Sequence, residues 1–320
     1  MDNRNLWIEF ASHPGVVQGG LCAASNLTRR QLFNILNVAF RPSGGFDITR
    51  RGSTTPLPVT DDLVEPDHYV LSSTIPGQAV TASDEQYYRR TLSRSDTGRD
   101  ETFRHDVRQR DGRCVITGRV NHNAGVGLWR GFEAAHVFPL ALSMIFSSCA
   151  FSNVITDSRG INSPNNGLLL RSDIHQMWDG YEFAINPDDD YRVYSFSANT
   201  TEYHGTVLND VCRQPEDTHR VYDVVLRWHF EQAVLGSVRG AGERGFDFDF
   251  PPGTDMMGEI REGPFATERM EAELFGRLGL EFVLGFFNRK LILRSPVINI
   301  PNDFLRFIDG FQWTVQMIES

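Results

Sequence analysis

Phe132-Glu133-Ala134-Ala135-His136-Val137-Phe138-Pro139 and, farther on, Asn165-Asn166-Gly167-Leu168-Leu169-Leu170-Arg171-Ser172-Asp173-Ile174-His175-Gln176-Met177-Trp178-Asp179 are the two pieces of sequence on which the fold turns. Period-2 alternation in the first predicts a strand with Glu133, Ala135 and Val137 on one face and His136 on the other. The second opens on turn residues, passes through a short buried-type run and enters a helix capped by Ser172 or Asp173. His175 and Asp179 stand four apart, so on that helix they share a face and can share one cation.

A histidine-bearing strand, a paired-asparagine turn, a second strand and a histidine-bearing helix follow the order of a metal nuclease. With Asn166 nine residues before His175, the set resembles the HNH endonuclease motif, the ββα-metal finger, in the variant common in fungal proteins. The resemblance covers about a third of the chain, near 103–196. It continues more weakly through Leu226-Arg227-Trp228-His229-Phe230 and Phe250-Pro251-Pro252-Gly253-Thr254-Asp255-Met256.

The resemblance implies an α+β fold with a ββα-metal finger core and hydrolysis of phosphodiester bonds, with nucleic acid, most simply DNA, as partner. It makes His136 the general base and Asn166 the residue that orients its imidazole through a hydrogen bond. One divalent cation, Mg²⁺ or Mn²⁺, is implied with it, held by His175 and Asp179. Many HNH enzymes carry an aspartate or another ligand just before the base histidine. This chain has Ala135 there, which makes Glu133, two residues back on the same strand face, the candidate third ligand. Asp173 reads as a helix N-cap or as a group bonded to a metal ligand, and Asn165 as a turn residue beside Asn166. The competing reading is an inactive or repurposed HNH scaffold that binds a protein partner or small molecule.

The 320 residues carry a formal charge of −10, with 40% apolar and 11% aromatic residues. That is an ordinary globular composition without the general basic footprint of a nucleic-acid binder. Local cations must therefore do the work. Arg89, Arg90, Arg94, Arg99, Arg104, Arg108, Arg110, Arg113 and Arg119 precede the finger, interleaved with acids, and Lys290 is the single lysine. Guanidinium groups suit bidentate phosphate contacts, and Arg104, Arg108 and Arg110, on the segment running into Cys114, are the candidates; a solvated helix face is the alternative. Cys22, Cys114, Cys149 and Cys212 form no Cys-x-x-Cys pair, so neither a disulfide framework nor a structural zinc is expected. No apolar run reaches the roughly 20 residues of a membrane helix, and the expected location is intracellular, cytoplasmic or nuclear.

Three regions follow. Residues 1–82 read as an accessory α+β region, with a strand at Leu6–Phe10, a helix near Thr28–Leu36, loop over Pro42–Asp67 and a strand at Asp67–Ser73. Residues 83–200 read as the HNH domain. It begins with helix, turn, helix over Ser83–Asp111 and includes a helical insertion at Leu140–Ile155. A hairpin of Tyr181–Asn186 and Tyr191–Phe196 closes it around a solvated aspartate turn. Residues 201–320 read as a helical layer packing on that domain. Its members are an amphipathic helix at Thr218–Val238, with His229 as a packed or surface histidine, an acidic loop at Gly240–Gly263, and helices at Thr267–Phe287 and Asp303–Ile318.

Overall fold

The computed structural model describes residues 4–40, 44–88, 101–146, 154–155, 157–240, 258 and 261–262. Arg89, Arg90, Arg94 and Arg99, the expected helices at Thr267–Phe287 and Asp303–Ile318, and nearly all of the acidic loop lie outside the described residues. The chain divides into two compact units: one of residues 1–90, 94–140 and 148–247, the other of 91–93, 141–147 and 248–320.

The first unit begins with a four-stranded sheet in the order β2-β1-β4-β3, made of β1 (Leu6–Phe10), β2 (His13–Leu21), β3 (Phe46–Arg50) and β4 (His68–Ser73). β1 runs antiparallel to β2 and parallel to β4, which pairs antiparallel with β3. Between β2 and β3 lies α1 (Arg29–Ala39), where Thr28 and Gln31 form a reciprocal capping box that satisfies two end N–H groups. The loop expected over Pro42–Asp67 thus contains a strand. Phe46, Ile48 and their alternation are ordinary strand signals, but the Gly-Pro surroundings mask them, and β3 exists because β4 offers it an edge.

Next comes α2 (Glu101–Asp111), whose Phe103 and Val107 form a buried stripe one turn apart. The expected helix before it is not formed at Ser83–Tyr88. The finger follows: β5 (Phe132–His136) pairs antiparallel with β6 (Gly167–Arg171), with His136 opposite Gly167 and Glu133 opposite Leu170. The helix α4 (Ser172–Asp179) starts directly from β6. Then β7 (Phe183–Asn186) and β8 (Arg192–Ser195) form the expected hairpin, and α5 (Asp223–Val238) closes the unit. In the second unit, Ser143–Phe146 forms the short helix α3.

α5 is not amphipathic as its sequence suggests. Val225, Leu226, His229, Phe230, Gln232, Ala233, Val234, Leu235, Gly236 and Val238 are all buried, because the helix is enclosed on several sides. Phe230 and Val234 share one core with β1, α1, Tyr181 and Tyr194. Trp228 meets Phe138 at 4.5 Å, and His229 stacks on Trp178 at 3.5 Å. Each fully buried large side chain contributes roughly 1.5–3 kcal/mol, so α5 ties the N-terminal sheet to the finger through a continuous apolar seam.

Candidate active site

The β5–β6 hairpin is covered by a helix on each face, and this arrangement distributes the site residues. Phe103 of α2 stacks on the His136 ring, with centroids 4.0 Å apart and planes 9° apart. Gly167, opposite His136, permits that approach: a Cβ there would lie 2.6 Å from Val107 and 2.7 Å from the Phe103 ring. On the other face α4 delivers His175 and Ser172 to Glu133. The pleat therefore separates His136 from Glu133, as the alternation requires.

His175, Asp179 and Glu133 are brought together. Glu133 Oε2 lies 2.6 Å from His175 Nδ1, and Asp179 Oδ2 lies 3.3 Å from His175 Nε2. The second Glu133 oxygen accepts the Ser172 hydroxyl at 3.0 Å. The three carboxylate and imidazole groups thus form a line, with the ring in the middle, rather than a ring of ligands around one point. Among the described residues no three His, Cys, Asp or Glu side chains are arranged to hold a metal ion. The His175–Asp179 end of that line is where a cation would be held. Two ligands at about 2.1 Å on adjacent octahedral positions stand about 3 Å apart, close to the 3.3 Å between Nε2 and Oδ2. Glu133 sits on the far nitrogen, where a carboxylate fixes the tautomer of a ligating histidine. Ala135, at the position where a further ligand is common in HNH enzymes, is fully buried core.

Asn166 does not orient His136. Its Oδ1 accepts Phe138 N–H at 2.7 Å, and its Nδ2 donates to the carbonyls of Phe138 at 3.1 Å and Ile161 at 3.0 Å. The register explains this: Gly167 opposes His136, so Asn166 lies beyond the pair and clamps the chain leaving β5. The imidazole is reached instead by Asn162, whose Oδ1 lies 3.1 Å from His136 Nε2. The turn bearing Asn162 is held to α2 by Arg159, which pairs with Asp157 at 2.6 Å and Asp106 at 2.5 Å. Arg159 holds the Asp157 carboxyl down at about 2. Asn162 is a third asparagine in the turn that carries Asn165 and Asn166, and that repetition is the sequence signal that could have found it.

Two further expectations, on Asp173 and Arg110, need correction, while Asn165 lies in the Pro164–Asn166 turn as expected. Asp173 caps nothing: the N-cap position is Arg171, and Asp173 pairs with its guanidinium at 2.7 Å. Asn165 is buried, and its Nδ2 ties the finger to the carbonyls of Thr218 and Arg220, each at 2.8 Å. Arg110 is not a phosphate ligand. Its side chain is 2% exposed and spends every N–H internally, on both Asp111 oxygens and on the carbonyls of Pro164, His219 and Gly167. Burial works against its charge, and the adjacent Asp111 carboxylate more than offsets that. Arg104 pairs with Glu101 at 3.6 Å on its own helix. Arg108 lies over the Trp129 ring at 5.0 Å, its pKa lowered by burial and then by the Arg104 charge.

A strand hairpin followed by a helix, with a half-buried histidine on one face and a histidine–carboxylate pair on the other, forms a ββα arrangement. Residues 114–186 match the family model described as HNH endonuclease, so the chain carries an HNH domain over that span. No curated protein and no solved structure matches the chain. Among the described residues no helix is long and apolar enough to cross a membrane.

Proposed function

We propose that this chain is a metal-dependent endonuclease that hydrolyses phosphodiester bonds in DNA, with His136 as general base. The observation that carries this reading is the HNH match over 114–186 together with the 3.3 Å bite of His175 Nε2 and Asp179 Oδ2 inside it. When bound there, a divalent cation neutralises charge on the scissile phosphate and the leaving oxygen. An imidazole in the donor set suits Mn²⁺ better than Mg²⁺, which prefers oxygen.

The protein's own groups do the rest. Asn162 Oδ1 is an acceptor, so His136 carries its proton on Nε2 and its lone pair on Nδ1, the form that takes a proton from water. Phe103 fixes the plane of the ring. As the water oxygen attacks phosphorus, its proton passes to His136, and the bond to the leaving sugar oxygen breaks on the opposite side. Glu133, held by Ser172, keeps the His175 proton on Nδ1 and leaves the Nε2 lone pair directed toward Asp179.

The test is nicking of supercoiled plasmid in Mn²⁺ and in Mg²⁺ by wild type, His136→Ala and His175→Ala, with Mn²⁺ binding followed by calorimetry. Wild type nicks, and both variants lose about 10²–10⁴-fold in rate. His175→Ala also loses Mn²⁺ binding, whereas His136→Ala keeps it. A wild type that cleaves no plasmid, single strand or RNA with either ion ends this reading.

A further inference from the structure

Over much of the described surface arginines face acids, as in Arg29–Asp62, Arg192–Asp189 and Arg227–Asp188. The segment entering the finger breaks that habit. Residues 112–132 contain neither Asp nor Glu, in a chain of net charge −10. Its exposed Arg119 and Arg130 have no carboxylate partner among the described residues. Between them the chain carries its apolar side chains outward: Val126 is 74% exposed, and Leu128 is 50% exposed. Apolar groups left in water between uncompensated guanidinium groups mark a surface built for a partner that is both anionic and apolar.

The loop is also built rather than loose. Buried Asn121 donates to the Leu128 carbonyl at 2.8 Å and accepts Asn123 N–H at 3.0 Å. A single helical turn, Ala124–Val126, ends on Gly127 at φ 73°, a left-handed conformation that suits glycine and sets Val126 at the tip. One end of the loop is bonded through Cys114 N–H to the Arg119 carbonyl at 2.9 Å. The other is bonded through Ser172 N–H to the Gly131 carbonyl at 3.1 Å, which fastens it to the first residue of the helix bearing His175 and Asp179. A partner seated on the loop is therefore delivered to the finger with little ordering cost.

We propose that loop 118–131 is the surface by which this chain grips duplex DNA. Arg119 and Arg130 take phosphates, and the Val126–Leu128 tip lies against sugar and base edges in a groove. The proposal rests on the endonuclease reading and names where that enzyme holds its substrate.

The experiment is fluorescence anisotropy of a labelled duplex of about 30 base pairs in EDTA, so that nothing is cleaved, between about 50 and 200 mM salt. Each phosphate contact contributes about 0.9 to the log–log salt slope. Arg119→Gln/Arg130→Gln lowers the slope by about 2 and weakens binding about 50-fold near 100 mM salt. Val126→Ser/Leu128→Ser weakens binding several-fold at unchanged slope. All four side chains are exposed, and the urea midpoint of each variant stays at the wild-type value. Wild-type slope and affinity in the arginine double variant overturn the proposal. If wild type binds and nicks and the variants do so equally, only the loop assignment fails; if wild type neither binds nor cuts, the endonuclease reading fails with it.

Discussion

Replacing Arg110 by alanine separates two roles for an arginine beside the proposed nuclease site. Its five N–H groups are spent at 2.6 and 2.9 Å on Asp111, at 2.9 Å on the Pro164 carbonyl, and at 2.7 Å on each of the His219 and Gly167 carbonyls. The two side chains are 2% and 0% exposed. Truncation leaves the Asp111 carboxylate without its counter-charge in the interior and strips three carbonyls of a donor. Breaking a buried pair in this way costs about 3–5 kcal/mol, a large share of the roughly 5–15 kcal/mol that holds a domain folded. Arg110→Lys keeps the charge but offers three donors in place of five, so about 1–3 kcal/mol is lost. Urea unfolding followed by tryptophan fluorescence reads this directly, since Trp129, Trp178 and Trp228 lie in the same unit. The expected order of midpoints is wild type, then lysine, then alanine. An unmoved midpoint in Arg110→Ala, together with a DNA-binding salt slope lower by about one, would refute the structural role and return Arg110 to the phosphate.

Two other perturbations test the packing around the site. His204 is buried and neutral, its Nε2–H donated to Gln31 Oε1 at 3.0 Å and its Nδ1 accepting Ser195 N–H at 3.2 Å; burial lowers its pKa from 6.5 to about 4. The unfolded chain then binds the extra proton first. Stability is full above pH 6.5 and falls as pH drops toward about 4, by up to about 3 kcal/mol. Urea midpoints across that window should fall more steeply in wild type than in His204→Gln, and parallel curves would contradict the assignment. Gly167→Ala places a methyl 2.6–2.8 Å from Val107 and the Phe103 ring, costing about 1–3 kcal/mol. Because Phe103 is the stacking partner of His136, nicking per folded molecule should drop as well; full activity in the folded variant would show that the stack does not position the base.

How much of this was legible in the sequence depended on the range over which each feature is decided. The helix near Thr28–Leu36, the alternation of Phe132–His136, the Asn166-Gly167 turn and the i,i+4 pair of His175 and Asp179 are local, and each appears where pattern and turn chemistry place it. β3 was hidden because strand formation there is decided by β4, across a loop full of glycine and proline. α5 reads as one-sided because no sequence period reveals that the N-terminal sheet, the β7–β8 hairpin and the finger all pack around it. The exchange of Asn162 for Asn166 has the same origin. Which asparagine meets the imidazole depends on the pairing of His136 with Gly167, a register two strands must agree on. Arg110 was misread because a charged residue beside a motif looks solvated until its carbonyl partners, contributed from near positions 164, 167 and 219, arrive.

That register has a chemical consequence. His136 faces α2, while Glu133, His175 and Ser172 meet on the side of α4, so the proposed base and the proposed cation pair are positioned by different helices. The join is specific: Trp178 Nε1 donates to the His136 carbonyl at 3.3 Å, one residue before Asp179. In-line hydrolysis needs its attacking water and leaving oxygen on opposite sides of phosphorus, and in the proposed reaction His136 would serve the first while the His175–Asp179 pair would hold the cation for the second. The cost is that two helices must hold register through a hairpin only five residues long on each side. α5 meets that cost by packing Trp228 on Phe138, just past the base, and His229 on Trp178, beside the cation pair. The C-terminal helix of the unit is thus the common support of both halves of the proposed site, which is why it is buried on nearly every face.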